Sequence, residues 1–259
     1  VILRLLSYNI RFGGRGREAL LAEVIRSADP DMVVFQEATD PLVIERLSKA
    51  TGLPLWAARR SHSIAYISRV PIAHHEWHNP GDARHPFMEI VLDGSGARIF
   101  GLHLKARFSK WSERRRAIEI SVLLKEIERH QQGFHLLVGD FNTLAPGELL
   151  DVRRMPRWIR AMVWLSGRDI QRDTIRVMLN ANYVDGYRML HTEDKGYTFP
   201  TWDPHLRLDY IFTPQRFASA LSSCEVVKGL SVAASASDHF PLLAQVDLEQ
   251  VTHSTQNDI

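Results

Sequence analysis

Apolar runs of strand length recur along this chain, several of them hydrophobic on consecutive residues, with helical repeats between them. Consecutive apolarity is what a strand shows when both faces of its sheet are covered. Leu3–Tyr8, Met32–Phe35, Ile64–Ile67, Glu89–Leu92, Ile99–Leu104, His135–Val138, Tyr210–Phe212 and Leu242–Val246 read as strands. Glu18–Ala28, Pro41–Ala50 and Ser112–Arg129 read as helices. Asp40 is placed to cap the second, with Pro41 at its first position. In the third, Ala117, Ile120, Leu124 and Ile127 recur at helical spacing, with charges on the other face and Arg114-Arg115-Arg116 read as solvated. Alternating strands and helices give an α/β layered protein. Local pattern leaves the order of the layers open.

Apolar residues make up 45% of the 259, enough for a large core. The longest apolar runs are strand-length, which argues against a membrane-spanning helix. Val1 to Asn9 reads as a buried strand and lacks the marks of a signal peptide, so a cytoplasmic location is expected. The single cysteine, Cys224, excludes an intramolecular disulfide and reads as a small buried residue. A formal charge of +2 rules out a bulk basic field, while a pI of 8.8 mildly favours a polyanionic partner. The long stretch Leu144 to Asn182 predicts one or two short helices, with Pro156 opening one. Residues 1–249 are expected to form a single domain and 250–259 a frayed polar tail. A monomer is expected.

Six short polar signatures sit at the ends or starts of the apolar runs: Ser7-Tyr8-Asn9, Phe35-Gln36-Glu37, Gly101-Leu102-His103, Gly139-Asp140-Phe141-Asn142, Arg207-Leu208-Asp209-Tyr210 and Ser237-Asp238-His239. Singly, each has an ordinary reading. Glu37 could be a solvated strand end, Gly139 to Asn142 an Asx-turn, Asp209 a partner of Arg207, and Asp238-His239 a turn before a strand. His74-His75-Glu76-Trp77-His78 lacks metalloprotease spacing and suits a solvent-facing strand or loop. Gly13-Gly14-Arg15-Gly16 does not follow a phosphate-loop pattern.

Taken in order, from Leu5 to about Leu243, the six resemble the metal-dependent endonuclease/exonuclease/phosphatase superfamily, which includes DNase I, exonuclease III-type abasic-site enzymes and Mg-dependent sphingomyelinases. The resemblance implies a four-layer α/β sandwich, two packed mixed sheets with helices outside, and an active site where loops from both halves meet at one end. It implies a phosphodiesterase using Mg²⁺, with Mn²⁺ as the alternative ion. Glu37, Asn9 and Asp238 become the metal ligands, Asn9 through its amide oxygen. Asp140 orients or deprotonates the attacking water, and Asn142 holds the phosphate or the water. His239 donates to a phosphate oxygen, with Asp209 orienting its ring. His103 contacts the phosphate or protonates the leaving group. Arg11 stands where many abasic-site enzymes carry an acidic or amide residue. It cannot ligate a metal, which weakens the abasic-site reading and leaves Arg11 to reach a phosphate.

Convergence of Glu37, Asp140, Asp209 and Asp238 has an electrostatic consequence. Each close pair repels by about 4 kcal/mol at ~4 Å and an effective dielectric near 20. A domain has only about 5–15 kcal/mol of stability. A cation, an imidazolium or raised pKa values must therefore accompany such a cluster, and oxygen donors without paired cysteines favour Mg²⁺ or Mn²⁺ over Zn²⁺.

Two segments are candidates for substrate contact: Phe108-Ser109-Lys110-Trp111 after His103, and the aromatic loop carrying Tyr197, Phe199 and Trp202 before Asp209. Phe108, Lys110, Trp111, Tyr197, Phe199 and Trp202 suit stacking on bases and tracking of a backbone, which points to DNA. The second segment equally suits a hydrophobic plug under the sheets. The segment Met155–Leu165, basic and apolar with Trp158 and Trp164, suits a packed lid helix or a phospholipid surface, so a lipid or small phosphoester is the alternative substrate. A scaffold that lost its chemistry would have lost some of the six signatures.

Overall fold

A computed structural model describes residues 1–81, 85–106, 109–155, 157–165 and 172–250; the side chains of Trp158, Ile159, Met162 and Leu165 are outside that description. Phe108 and the tail from residue 251 therefore lie outside the described residues.

The first sheet contains β1 (Ile2–Asn9), β2 (Met32–Gln36), β3 (Leu55–Ala57), β4 (Ala65–Ser68), β11 (Leu221–Val226) and β12 (Leu242–Asp247), in the order β11-β12-β1-β2-β4-β3. The second contains β5 (Ile72–His78), β6 (Phe87–Leu92), β7 (Arg98–His103), β8 (His135–Asp140), β9 (Tyr183–Asp185) and β10 (Asp209–Pro214), in the order β5-β6-β7-β8-β10-β9. Both sheets are mixed: β1–β2 and β7–β8 are the parallel pairs.

The sheets pack face to face. Leu3, Leu5, Met32 and Val34 of the first meet Met88, Ile90, Ile99, Leu136, Val138 and Ile211 of the second in one buried cluster. The outer face of the first sheet is covered by α1 (Glu18–Ala28) and α2 (Pro41–Thr51), through Leu21, Ile25, Ile44 and Leu47. The outer face of the second is covered by α3 (Lys110–Glu126) and α5 (Asp173–Asn180), through Ile120, Leu123, Ile175 and Met178. The result is the four-layer α/β sandwich, and burial on both faces explains the consecutive apolar residues. Between α3 and β9 lie α4 (Arg157–Leu165) and α5; α6 (Gly186–Leu190) follows β9, and α7 (Ala233–Ala236) precedes β12. No helix among the described residues is long and apolar enough to cross a membrane.

Local signals set several boundaries. Asp40 accepts from Leu42 N at 3.1 Å and caps α2, whose chain leaves through Gly52. β5 is an edge strand with His74 and His75 exposed; the His75 ring lies against Tyr66 and Trp77, and His78 pairs with Glu89 at 2.9 Å. Cys224 is buried.

α3 departs from expectation. Arg116 is fully buried, and Glu113 and Glu119 are buried with it, so its charges are not confined to a solvated face. Glu113 Oε2 accepts from Arg116 Nη2 at 2.7 Å and from Thr143 Oγ1 at 2.7 Å, Glu113 Oε1 accepts from Thr174 N at 2.8 Å, and Arg116 Nη1 donates to Lys105 O at 2.7 Å. This network satisfies two buried charges and pins the start of α3 to the segments after β7 and β8.

Candidate active site

Strand direction brings the six signatures to one end of the sandwich. β1, β2, β7 and β8 run the same way within their parallel pairs and finish there, at Asn9, Gln36, His103 and Asp140. β10 is antiparallel to β8 and starts there, with Asp209 opposite Asp140. β12 is antiparallel to β1 and starts opposite Ser7, so the preceding Asp238 and His239 join them. Ser237 Oγ donates to Asn9 O at 2.7 Å and locks that approach.

The centre is a chain of buried polar groups. His239 Nδ1 donates to Asp209 Oδ2 at 2.8 Å, and His239 Nε2 lies 3.7 Å from Asp140 Oδ2. Burial alone would favour the neutral ring, but Asp209 and Asp140 outweigh it and hold the His239 imidazolium well above its usual range. Asp140 is pushed upward, first by burial and further by Asp209, against the pull of His239. Arg207 is not the partner of Asp209; it pairs with Glu148 and Asp185 at 2.7 and 2.6 Å.

Asn9 Nδ2 donates to Asp140 Oδ2 at 3.0 Å and to Glu37 Oε1 at 3.3 Å, while its oxygen accepts from Arg11 N at 2.9 Å. The amide nitrogen, not the expected oxygen, thus faces the carboxylates, because two acceptors converge on it. Glu37 has φ 58°, and its Oε2 accepts from Phe12 N at 2.6 Å. Asp238 Oδ2 lies 3.5 Å from Arg11 Nε.

β8 leaves through Gly139 at φ 144°, where a Cβ would stand 1.9 Å from Leu102 O. Only glycine permits that approach. Beyond it, the chain turns instead of staying extended, as the ordinary reading of Gly139 to Asn142 has it. Asn142 has φ 51° and its N–H donates to Asp140 Oδ1 at 2.8 Å, an Asx-turn. Asn142 Nδ2 donates to Leu104 O at 2.8 Å, which leaves its other N–H for a ligand.

His103 is reached through a residue that sequence reasoning missed. Ser63 Oγ accepts from Glu37 N at 3.0 Å and lies 2.6 Å from His103 Nδ1. A hydroxyl that donates to Nδ1 puts the imidazole proton on Nε2, 3.8 Å from Asp140 Oδ2. Burial holds His103 neutral, well below the usual histidine range. Ser63 precedes a predicted strand, the one cue that was available. Arg17 was also missed; it donates to Ile10 O at 2.9 Å and to Arg11 O and Ala236 O, tying both edges of the site.

The candidate contact residues separate. The Phe199 ring lies 4.8 Å from that of His239 and 6.4 Å from that of Trp202, which is 61% exposed. Phe199 N–H and Leu206 O pair, and Phe240 N donates to Thr198 O at 2.8 Å, so this loop is stitched to the segment carrying His239. Tyr197 instead lines a cavity of about 370 Å³ with Glu148, Arg188 and Arg207, none of them in the central group. Lys110 and Trp111 open α3 and are exposed, Trp111 by 83%. Trp164 on α4 is exposed as well.

Asp140, Asp209 and His239 offer ligand atoms within 4.8 Å of one another. A protonated His239 between two carboxylates already neutralises one charge there. Glu37 brings a further carboxylate beside Asn9, and Asp209 Oδ1 is buried without a hydrogen-bond partner among the described residues. The donor set, hard oxygens and no thiolate, fits a divalent cation such as Mg²⁺.

Comparison with known proteins gives the family and the fold. The model of the endonuclease/exonuclease/phosphatase family matches residues 6–239. Solved structures share the fold: a 3′ phosphatase, NExo, from Neisseria bound to product DNA hairpin is 19% identical, with 95% of this chain and 99% of that chain covered and a TM-score of 0.69. An AP endonuclease from Archaeoglobus fulgidus is 16% identical, with 95% and 99% covered and a TM-score of 0.72. TDP2 from D. rerio, complexed with a single-strand DNA product, is 18% identical, with 94% and 98% covered and a TM-score of 0.64. No curated protein sequence matches. With its family model spanning nearly the whole sandwich, the chain belongs to the endonuclease/exonuclease/phosphatase family.

Proposed function

We infer that this protein is a divalent-metal-dependent phosphodiesterase acting on DNA, folded as one catalytic domain. The observation that carries the reading is the buried chain Asp209–His239–Asp140 beside Asn9 and Glu37. Phosphodiester anions repel nucleophiles, so a catalyst must neutralise charge and activate water. Asp140 is the base: one oxygen is held by Asn142 N, and the other faces Asn9, His103 and His239. His239, kept charged by Asp209, donates to a phosphate oxygen as negative charge grows. Neutral His103 offers Nε2–H to the phosphate or to the departing oxygen. Glu37 and Asn9 are the residues that would hold Mg²⁺, Asn9 after rotation of its amide, with Asp238 beside them. The cation supplies Lewis-acid stabilisation of the phosphoryl oxygens.

DNA is favoured by the surroundings of this centre. Phe199, Trp202 and Arg11 offer stacking surfaces and a cation beside His239 and Asp238, and exposed Lys110 and Trp111 at the start of α3 offer the same chemistry. The fold neighbours bound to DNA products support the same class. The test is hydrolysis of plasmid and oligonucleotide DNA, phospholipid vesicles and an aryl phosphodiester, each with and without EDTA. DNA cleavage abolished by EDTA and by Asp140→Asn is expected. Cleavage of lipid and not DNA would replace the substrate class; exposed Trp164 on α4 is the feature that reading would use.

A further inference from the structure

The loop between β1 and α1 has an unusual backbone. Arg11, Phe12, Gly13 and Gly14 have φ of 50°, 48°, 75° and 69°, four consecutive residues in the left-handed region. Gly13 and Gly14 meet that demand freely, and both are buried. Phe12 does not. A bulky aromatic residue with positive φ is an outlier, and its ring is 79% exposed, so no core contact repays the conformation. What holds it is the site itself: Phe12 N donates to Glu37 Oε2 at 2.6 Å and Gly13 N to Glu37 O at 2.9 Å. The Arg11 guanidinium lies over one face of the Phe12 ring, 5.5 Å from its centroid, which leaves the other face for a ligand, and Arg11 Nε lies 3.5 Å from Asp238 Oδ2. An aromatic face thus stands at the rim, next to a cation, anchored through its own amide to the carboxylate at the centre.

We propose that Phe12 is a specificity-determining residue that stacks on the nucleobase of a nucleotide adjoining the scissile phosphate, while Arg11 meets the neighbouring phosphate. This rests on the DNA reading above. The chemistry is that of a base–aromatic platform paired with a backbone cation. The glycines behind it supply the turn, and the strained aromatic supplies the contact, which a relaxed glycine at position 12 would not. Stacking of this kind recognises a base by its flat face, so the preference is for base-bearing over base-less strands and not for one sequence.

The experiment compares kcat/KM in Mg²⁺ for a short oligothymidylate and an equally long base-less tetrahydrofuran phosphodiester. The wild type is expected to prefer the thymidylate, and Phe12→Ala to reduce that preference roughly five- to a hundredfold. Phe12→Trp is expected to retain it. Phe12→Gly is expected to lose it while raising the thermal midpoint by about 2–4 °C, since glycine relieves the left-handed strain. A fall of equal size on both strands in Phe12→Ala, or no fall on either, overturns the role of Phe12 and leaves the DNA reading standing. A wild type that cleaves neither strand yet hydrolyses phospholipid or an aryl phosphodiester overturns both.

Discussion

Asp209 accepts the Nδ1–H of His239 at 2.8 Å, with both residues buried and Asp140 on the ring's other side. The Asp209 charge is what keeps an imidazole charged in a place that otherwise favours the neutral ring. Asp209→Asn preserves the shape and removes that charge. It is expected to lower kcat by about 10²–10⁴ with little change in KM. Turnover within threefold of wild type would show that Asp209 has no part in the chemistry.

Glu37 is the proposed cation ligand nearest Asn9. Calorimetric titration with Mg²⁺ or Mn²⁺ is expected to show uptake by the wild type and at least about tenfold weaker uptake by Glu37→Gln, with unchanged far-UV circular dichroism. Identical titrations for the two proteins would remove Glu37 from the metal site.

Gly139 stands where strand β8 passes the Leu102 carbonyl. Gly139→Ala forces a side chain into the backbone and a positive φ on alanine. A loss of about 3 kcal/mol or more in urea unfolding is expected, with catalysis lost alongside because Asp140 is the next residue. An alanine variant as stable as wild type would contradict this backbone path.

Arg116 and Glu113 form a buried pair whose other bonds reach Lys105 O, Thr143 and Thr174. Arg116→Ala leaves Glu113 charged and buried, so a loss of about 3–5 kcal/mol is expected from chemical denaturation. Changing both residues to apolar ones should cost less than the sum of the single changes. Additive losses would mean the two charges do not act as a unit.

His135 lies at the start of β8, with Nδ1 donating to Gly133 O at 2.9 Å and Nε2 accepting from Tyr183 Oη at 2.6 Å. Burial pushes its imidazole down to about 4. Above an ordinary histidine value of ~6.5 the ring is neutral in both folded and unfolded chains, so its contribution is full. Below it, the unfolded chain takes up a proton that the folded one refuses, and stability falls until about pH 4. The slope reaches about 1.4 kcal/mol per pH unit. Urea unfolding between pH 7 and 5 should show a steeper decline for wild type than for His135→Gln; equal slopes would count against a buried neutral His135.

Helices α1 and α2 and the central strands follow their sequence patterns closely, since each has strong periodicity or a clear cap. Strands β3, β9 and β11 and helix α6 were not legible. β3 and β9 span three residues each and β11 alternates weakly at a sheet edge, so none carries a long apolar signature. The burial of Arg116 was hidden for another reason: its acceptors include Lys105 O and its partner Glu113 holds Thr143 and Thr174, contacts distant along the chain. Ser63 and Phe12 carry no local signal, because a serine before a strand and a phenylalanine before glycines are common, and their neighbours at the site come from other segments.

By itself, the sequence determined which polar side chains sit at the ends of buried strands, because apolar periodicity stops where the chain leaves the core. Only the tertiary structure decided that these ends are the same end. Parallel strands must finish, and their antiparallel neighbours must start, on one side of a sheet, and two packed sheets then bring Asn9 and His239 against Asp140 and Asp209. The direction of the Asn9 amide and the turn at Asn142 were settled by the acceptors that converge there, which no local stretch of residues encodes.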